Sequence, residues 1–143
     1  MISLTKICRF EAAHAIFDYN GDCARLHGHS YELHVCVEST KMGAESYISG
    51  NGMIIDLKLL KSIIQKNILS ELDHKTLLSD KYVNNRNLRL PDEETIILPV
   101  EPTVENILLY IKIRLQSLLP DNIRLCKVEL YETRDSMARW THN

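Results

Sequence analysis

Three histidines near the start of the chain could bind a metal ion beside a thiol. His14 precedes the pair His27 and His29, which one glycine separates, and Cys23 lies shortly before His27. Alternate residues of a β-strand point to the same face, roughly 6.5 to 7 Å apart along the strand, so two imidazoles can converge on one ion. Neutral imidazoles are good zinc ligands, and three protein ligands with an open fourth position are typical of a catalytic zinc site.

The spacing alone leaves other interpretations open. A His-x-His pair is short enough to arise by chance, and single histidines are more often ordinary polar residues at strand ends. Cys23 could close the coordination sphere of a structural zinc, act beside the ion as a thiolate base or nucleophile, or be an inert thiol. We expect His34 and His142 to be ordinary surface or core residues.

Two further pairs of neighbouring residues could complete an active site. Asp73 and His74 follow the first predicted helix and could move protons, although a histidine at a helix C-terminus is also favoured by the helix dipole. Glu132 and Thr133 end the last predicted strand. A carboxylate there could accept two parallel N–H groups from a planar heterocycle, or it could be a solvated glutamate.

Strands must position the histidines and Glu132. Alternation of apolar and polar residues predicts a strand over 27–39, and turn residues bound the other candidates. We expect strands two and three to pair as a hairpin, with the third entered from the Asn51-Gly52 turn. The strands are predicted at about 2–11, 27–39, 53–55, 95–98 and 123–133. The stretch 79–101 is otherwise the hardest to interpret.

Two amphipathic helices should cover this sheet. Asp56 is a good N-cap for a helix over about 57–70, whose apolar residues recur every three or four positions. Thr103 is the corresponding N-cap of a second helix that stops before Pro120, with Glu105 placed favourably in its first turn.

The bulk composition indicates one globular domain over residues 1–143. The chain has 143 residues, 45% of them hydrophobic, and a formal net charge of -2 from dispersed charges, which does not favour nucleic acid as a partner. No apolar run approaches the roughly 18 to 20 residues that span a membrane, and the N-terminus lacks a signal-peptide pattern, so we expect a soluble, cytoplasmic protein. The four cysteines form no CxxC pair and are expected to be free thiols: Cys8, Cys23, Cys36 and Cys126.

Six short motifs together resemble the 6-pyruvoyl-tetrahydropterin synthase superfamily. They occur in the family's order and cover nearly the whole chain, so their combination is far more specific than any single one. The three-residue gap between Cys23 and His27 is most similar to the 6-carboxytetrahydropterin synthase branch. The motifs are Phe10-Glu11-Ala12-Ala13-His14, Cys23-x-x-x-His27-Gly28-His29, Gly52-Met53-x-x-Asp56, Leu72-Asp73-His74, Pro102-Thr103-x-Glu105-Asn106 and Tyr131-Glu132-Thr133.

The resemblance implies an α+β T-fold, with a four-stranded antiparallel sheet and two helices on one face. It also implies a homohexamer in which the sheets of three subunits join into a barrel, two trimers stack, and active sites form between subunits. Zn²⁺ would be held by His14, His27 and His29, and Cys23 would abstract a proton from the substrate.

The same resemblance assigns roles to the remaining candidates. Asp73 and His74 would form a proton relay, and Glu132 would anchor the pterin and take part in the relay. Thr133 and Thr103 would make secondary contacts with the substrate. The implied reaction converts 7,8-dihydroneopterin triphosphate and water into 6-carboxy-5,6,7,8-tetrahydropterin, acetaldehyde and triphosphate, in queuosine or 7-deazapurine biosynthesis.

The chain departs from the family pattern at three places. Leu78 stands where many relatives have asparagine, which puts a loop contact in doubt. Arg134 follows Glu132-Thr133 where a small residue or proline is common, and the stretch 79–101 is longer than in compact members. None of these changes affects the candidate metal ligands or Cys23.

Overall fold

Six strands form a single mixed sheet in the computed structural model, which describes residues 2–41, 47–86 and 92–142. The strands are β1 (Leu4–His14), β2 (His27–Ser39), β3 (Lys75–Ser79), β4 (Thr95–Leu98), β5 (Ile123–Tyr131) and β6 (Met137–Thr141). Their order across the sheet is β4-β3-β1-β2-β5-β6. The pairs β1/β2, β2/β5 and β5/β6 are antiparallel, whereas β1/β3 and β3/β4 are parallel.

The helices begin where the sequence predicts their caps. The Asp56 carboxylate accepts a hydrogen bond from Lys58 N, and the Thr103 hydroxyl accepts one from Asn106 N. The helices are α1 (Leu57–Ile64), α2 (Ser70–Leu72), α3 (Asp80–Arg86) and α4 (Val104–Gln116), and a π-helical segment (Gln65–Leu69) joins α1 to α2. Short 3-10 turns lie at Asp22–Ala24 and Asp92–Glu94. Within the described ranges, no helix combines the length and apolar composition needed to cross a membrane.

The hydrophobic core lies between one face of the sheet and the helices. Alternate residues of β2, from Tyr31 to Val37, are fully buried and belong to one apolar cluster with Leu60 of α1 and Ile107 of α4. Burying a side chain of this size stabilises the fold by about 1.5 to 3 kcal/mol. The opposite face of β2 carries polar residues and one thiol, namely Glu32, His34, Cys36 and Glu38.

The predicted third strand at 53–55 is wrong, and so is its hairpin with β2. The Asn51-Gly52 turn is present, with Gly52 at φ +74°, but the residues after it form bends. Both edges of β2 are already paired, with β1 and β5. Ile55 is only 7% exposed because this loop packs onto the core, which explains its apolar sequence without a strand.

Several other boundaries differ from the expectation. The four-stranded antiparallel sheet is a six-stranded mixed sheet, because β3 and β6 were not predicted, and α3 was also missed. The first strand extends to His14 rather than Glu11, and the last predicted strand ends at Tyr131. Leu78 lies in β3 and is 1% exposed, so this departure from the family pattern is a core position and not a loop contact. The strands at 27–39 and 95–98 and both main helices are confirmed.

Candidate metal centre

Strand pairing brings the three N-terminal histidines together. In the antiparallel register of β1 and β2, His14 lies directly opposite His27, and Ala12 lies opposite His29. Side chains of directly opposed residues lie on the same face of a sheet, so all three imidazoles converge. One nitrogen atom of each ring lies within 4.8 Å of the others, and the His14 and His27 Nε2 atoms are 3.1 Å apart. The three predicted ligands therefore form one cluster.

Backbone carbonyls leave the Nε2 atoms of this cluster available. The Nδ1 atom of His14 is 2.6 Å from the Pro102 carbonyl oxygen, and that of His27 is 2.7 Å from the Arg25 carbonyl oxygen. A carbonyl only accepts hydrogen bonds, so each Nδ1 carries the hydrogen and each Nε2 keeps its lone pair. The Nε2 atom of His29 is buried and has no hydrogen-bond partner. This donor set, with carbonyl partners behind the ligands, fits a divalent cation such as zinc.

Burial also favours the neutral form of His14. His14 is only 2% exposed, and its burial lowers the pKa of its imidazole although the Pro102 carbonyl and Glu132 act in the opposite direction. A protonated imidazole cannot bind a cation, so a lowered pKa preserves the ligand at neutral pH.

A carboxylate faces the same cluster. Glu132 Oε1 lies 3.4 Å from His14 Nε2 and 3.7 Å from His29 Nε2. The fully buried Tyr31 hydroxyl donates a hydrogen bond to the same oxygen at 3.5 Å, and its ring stacks on Phe10. Burial, and then the negative charge of Glu132, raise the pKa of Tyr31, which remains a hydrogen-bond donor. Tyr31 was not singled out in the sequence because it continues the alternating apolar pattern of β2.

The two candidate threonines lie at different kinds of position. Thr133 is exposed, and its hydroxyl donates to Asp135 Oδ1 at 2.7 Å. Thr103 caps α4 and follows Pro102, whose carbonyl contacts His14. The Thr103 hydroxyl therefore caps the helix, and the contact with the cluster comes from the Pro102 carbonyl.

Cys23 lies on an exposed turn that is hydrogen-bonded to the segment after His14. It is the middle residue of the 3-10 turn Asp22–Ala24, and its carbonyl accepts a hydrogen bond from Ile16 N at 2.9 Å. Across the described ranges, the group of close ligand atoms contains the three histidines and does not include the Cys23 sulfur. A further anchor for this loop is Glu101, whose carboxylate accepts a hydrogen bond from Phe17 N at 2.8 Å. Only its position beside the Pro102-Thr103 motif could have indicated Glu101 from the sequence.

Asp73 and His74 form a contact with each other on a separate loop. Asp73 Oδ1 is 3.0 Å from His74 Nδ1 and also accepts a hydrogen bond from Glu11 N. The amide of His74 donates to the Glu11 carbonyl, and His74 has a left-handed backbone with φ +60°. The aspartate therefore orients an imidazole whose side chain is 79% exposed.

Two cavities border these groups. One, of about 340 Å³, is lined by both His29 and His74, together with residues of β1, β2 and β3. A larger one, of about 670 Å³, is lined by Glu132, Thr133, Arg134 and the polar face of β2. Ser30 lines both cavities. The histidine cluster and the Asp73-His74 pair thus adjoin spaces that can receive a small molecule.

A sequence model of the 6-pyruvoyl tetrahydropterin synthase family matches residues 3–143. The chain belongs to this family. Solved structures agree on the fold: 6-pyruvoyl tetrahydropterin synthase of Caenorhabditis elegans aligns with a TM-score of 0.70 at 22% identity, over 99% of this chain and 96% of that one. The enzyme of the same name from Plasmodium vivax gives 0.72 at 22% identity, over 100% and 99%. The expected T-fold is confirmed, with the strand count corrected above.

Curated relatives carry a more specific name. A 6-carboxy-5,6,7,8-tetrahydropterin synthase of Synechocystis sp. is 32% identical over 131 residues, which covers 92% of this chain and 86% of the relative. The Haemophilus influenzae protein of that name is 29% identical over 98% of this chain and 99% of its own length. These family members resemble the chain over nearly its full length.

Proposed function

We propose that this family member is a zinc-dependent 6-carboxy-5,6,7,8-tetrahydropterin synthase. It would convert 7,8-dihydroneopterin triphosphate and water into 6-carboxytetrahydropterin, acetaldehyde and triphosphate, as a step toward queuosine or a related 7-deazapurine. The observation that carries the proposal is the converging histidine cluster, with its buried, unpartnered His29 nitrogen and the facing Glu132. The names of the curated relatives and the short gap between Cys23 and His27 support the carboxy product.

The histidine cluster would hold zinc through the Nε2 atoms of His14, His27 and His29. When bound, zinc supplies Lewis-acid polarisation of the substrate's side-chain oxygens. Glu132 would accept N–H groups of the pterin, since a carboxylate has two oxygens for two parallel donors. Tyr31 holds one of those oxygens in place through its buried hydroxyl.

Proton transfer would be shared by Cys23 and His74. Cys23 would act as the base beside the cluster, and its exposed position leaves it free to meet a substrate. His74 would relay protons through Nε2 while Asp73 orients the ring from Nδ1. Secondary contacts would come from Thr133, which lines the larger cavity, and from Thr103.

The exposure of these groups supports a site completed by a neighbouring subunit. Within one chain, His74 is 79% exposed at the edge of a cavity that is open to solvent, and Cys23 is exposed on its turn. A proton relay needs partners within hydrogen-bond reach and is more effective away from bulk water. The resemblance to the family implies a homohexamer built as a dimer of trimers, and we propose this assembly, which native mass spectrometry would test.

A product assay tests the proposed reaction. Purified protein is incubated with zinc and 7,8-dihydroneopterin triphosphate, and the products are identified by mass spectrometry. Acetaldehyde together with 6-carboxytetrahydropterin is the expected outcome. The family's name favours a second candidate, a 6-pyruvoyl tetrahydropterin synthase that eliminates triphosphate without losing two carbons. A pyruvoyl pterin without acetaldehyde would establish that candidate instead.

Two variants separate a catalytic from a purely structural zinc site. Cys23→Ala should keep one zinc per chain and the assembly but lose turnover, because the thiol lies outside the cluster of ligand atoms. His27→Ala should lose the metal. Cys8→Ala is the matched control, since it removes a half-buried thiol from β1. Loss of zinc from Cys23→Ala would instead support a non-catalytic zinc-binding assembly protein in which this cysteine closes the coordination sphere.

A further inference from the structure

Two cysteines meet on the polar face of the sheet. Cys36 of β2 is 4% exposed, Cys126 of β5 is half-buried, and their sulfur atoms lie 3.2 Å apart. The pairing shifts here, from Cys36 opposite Lys127 to Val37 opposite Leu125, which leaves Cys126 as the extra residue of a β-bulge. A bulge re-aims a side chain, and this one directs Cys126 toward Cys36.

The surroundings of the two thiols favour a shared proton. Burial acts to raise the pKa of Cys36, but hydrogen bonds involving Ser3, Thr5 and Cys126 outweigh it, and the pKa is lowered. Burial, followed by the hydrogen bond to Cys36 and its charge, raises the pKa of Cys126 to about 12. The Lys127 ammonium adds to the stabilisation of a thiolate on Cys36. One sulfur of the pair is thus prepared as a nucleophile beside a protonated one.

We propose that Cys36 and Cys126 form a reversible disulfide between β2 and β5, with a small peroxide as the oxidant. The sulfurs sit on adjacent strands and need to approach by about 1.2 Å to reach the bonded distance of roughly 2.05 Å. A tetrahedral zinc site would hold two thiolates about 3.7 Å apart, given Zn–S bonds of roughly 2.3 Å, and would need further ligands. The short separation and the neighbouring lysine favour the disulfide.

The chemistry balances in two steps. The Cys36 sulfur attacks one oxygen of hydrogen peroxide, the O–O bond breaks, and a sulfenic acid and a water molecule form. The Cys126 sulfur then attacks the Cys36 sulfur, the S–O bond breaks, and the second oxygen leaves as water. The two sulfurs supply the two electrons that reduce the peroxide, and both thiol protons end in water.

The modification site is independent of the proposed pterin chemistry. Side chains alternate between the two faces of a strand, and β2 pairs with β1 without a bulge from His27 to Val37. Cys36 is an odd number of residues from His27 and His29, so the thiol pair lies on the other face of the sheet. The disulfide would nonetheless join the strand that carries these two histidines to the strand that leads into Glu132.

The test uses mild oxidation of the folded protein. All variants carry Cys23→Ser, because this substitution removes the exposed thiol. Treatment with a few equivalents of hydrogen peroxide should lower the free thiols per denatured chain from three to one and the intact mass by about 2 Da. Peptide mapping should link Cys36 to Cys126, and dithiothreitol should restore all thiols. Adding Cys126→Ser should abolish the mass loss, whereas adding Cys8→Ser should preserve it.

Circular dichroism of each variant confirms folding before oxidation, and Cys36→Ser provides a second way to remove the link. Oxidation that proceeds to sulfinic acid without a Cys36–Cys126 peptide would overturn the proposal. So would a disulfide that involves Cys8, or one that forms only between chains.

Discussion

Replacing His29 by alanine should abolish most of the rise in melting temperature that we expect added zinc to cause. The Nε2 atom of His29 is buried without a hydrogen-bond partner, although the other two rings of the cluster each contact a backbone carbonyl. A buried polar atom without a partner costs about 1 to 3 kcal/mol. The metal-free fold therefore carries a local cost that a bound cation would remove.

The size of the zinc effect follows from linkage. A ligand that binds only the folded state at a hundred times its Kd stabilises it by about 2.7 kcal/mol. For a chain of this size, that free energy corresponds to a rise in melting temperature of roughly 5 to 10 °C. His29→Ala leaves two ligands, so its zinc-induced rise should fall below about 2 °C. Its metal-free melting temperature should change little, because the substitution removes the unpartnered atom as well as the ring.

Thermal denaturation of metal-stripped protein, with and without added zinc, measures this effect, and elemental analysis gives the zinc content. His142→Ala is the control, since it removes an exposed histidine near the C-terminus whose nearest aromatic contact is Trp140. The control should bind one zinc per chain and keep the full rise. If His29→Ala retains one zinc per chain and the wild-type rise, the histidine cluster is not the metal site.

Three other substitutions probe the supporting residues. Tyr31→Phe removes the hydroxyl that contacts Glu132, and we expect a rise of about fivefold in KM with unchanged zinc content; unchanged kinetics would show that Tyr31 does not position the carboxylate. Glu101→Ala leaves Phe17 N without its acceptor and should lower the free energy of unfolding in urea by about 1 to 3 kcal/mol, whereas Glu101→Gln keeps an acceptor and should lose less than half as much. Leu60→Ala opens a fully buried site and should cost about 2 to 5 kcal/mol in the same assay; a loss below 1 kcal/mol would contradict its place in the core.

The strand β2 could be predicted from sequence because its two faces meet different surroundings. Tyr31, Leu33 and Val35 pack against the helices, while the residues between them face the polar side of the sheet, so the sequence alternates. The helix N-caps could also be predicted from the sequence. The side chains of Asp56 and Thr103 accept hydrogen bonds from backbone amides two or three residues later, so each cap depends only on its local sequence.

The strand β3 could not be predicted because neither of its faces is exposed to solvent. It lies inside the sheet between β1 and β4, in parallel pairing with both. Leu77 packs in the main core, whereas Leu78 packs on the other side with Ala15 and Tyr82, so consecutive residues are both buried. Alternation is lost under these conditions, as is usual for parallel strands covered on both faces. The opposite error occurred at 53–55, where a strand was predicted but a loop is present. This loop is apolar because it packs on the core, and its sequence therefore resembles a strand.

At the candidate metal centre, side-chain types predicted the histidine cluster but not what orients its rings. The spacing of His27 and His29 placed two rings on one face, and strand pairing then placed His14 opposite. The partners behind the rings are the carbonyls of Pro102 and Arg25, and every residue has a carbonyl whatever its side chain. Which carbonyls contact the rings depends on the path of the backbone, and that path cannot be predicted from the side-chain types in a single sequence.

The histidine cluster continues the hydrophobic core along the sheet, whereas the other candidate residues lie on loops. On one face of β1 and β2, buried residues such as Phe10 and Tyr31 lead directly to the three histidines. A register slip of one residue would move the whole set to the opposite face, so the forces that select the core register also fix the positions of the candidate metal ligands. Cys23 and His74 lie instead on exposed loops outside this register. Metal binding should therefore be a property of the folded subunit, whereas the proposed proton transfer would depend on what covers those loops in the proposed assembly.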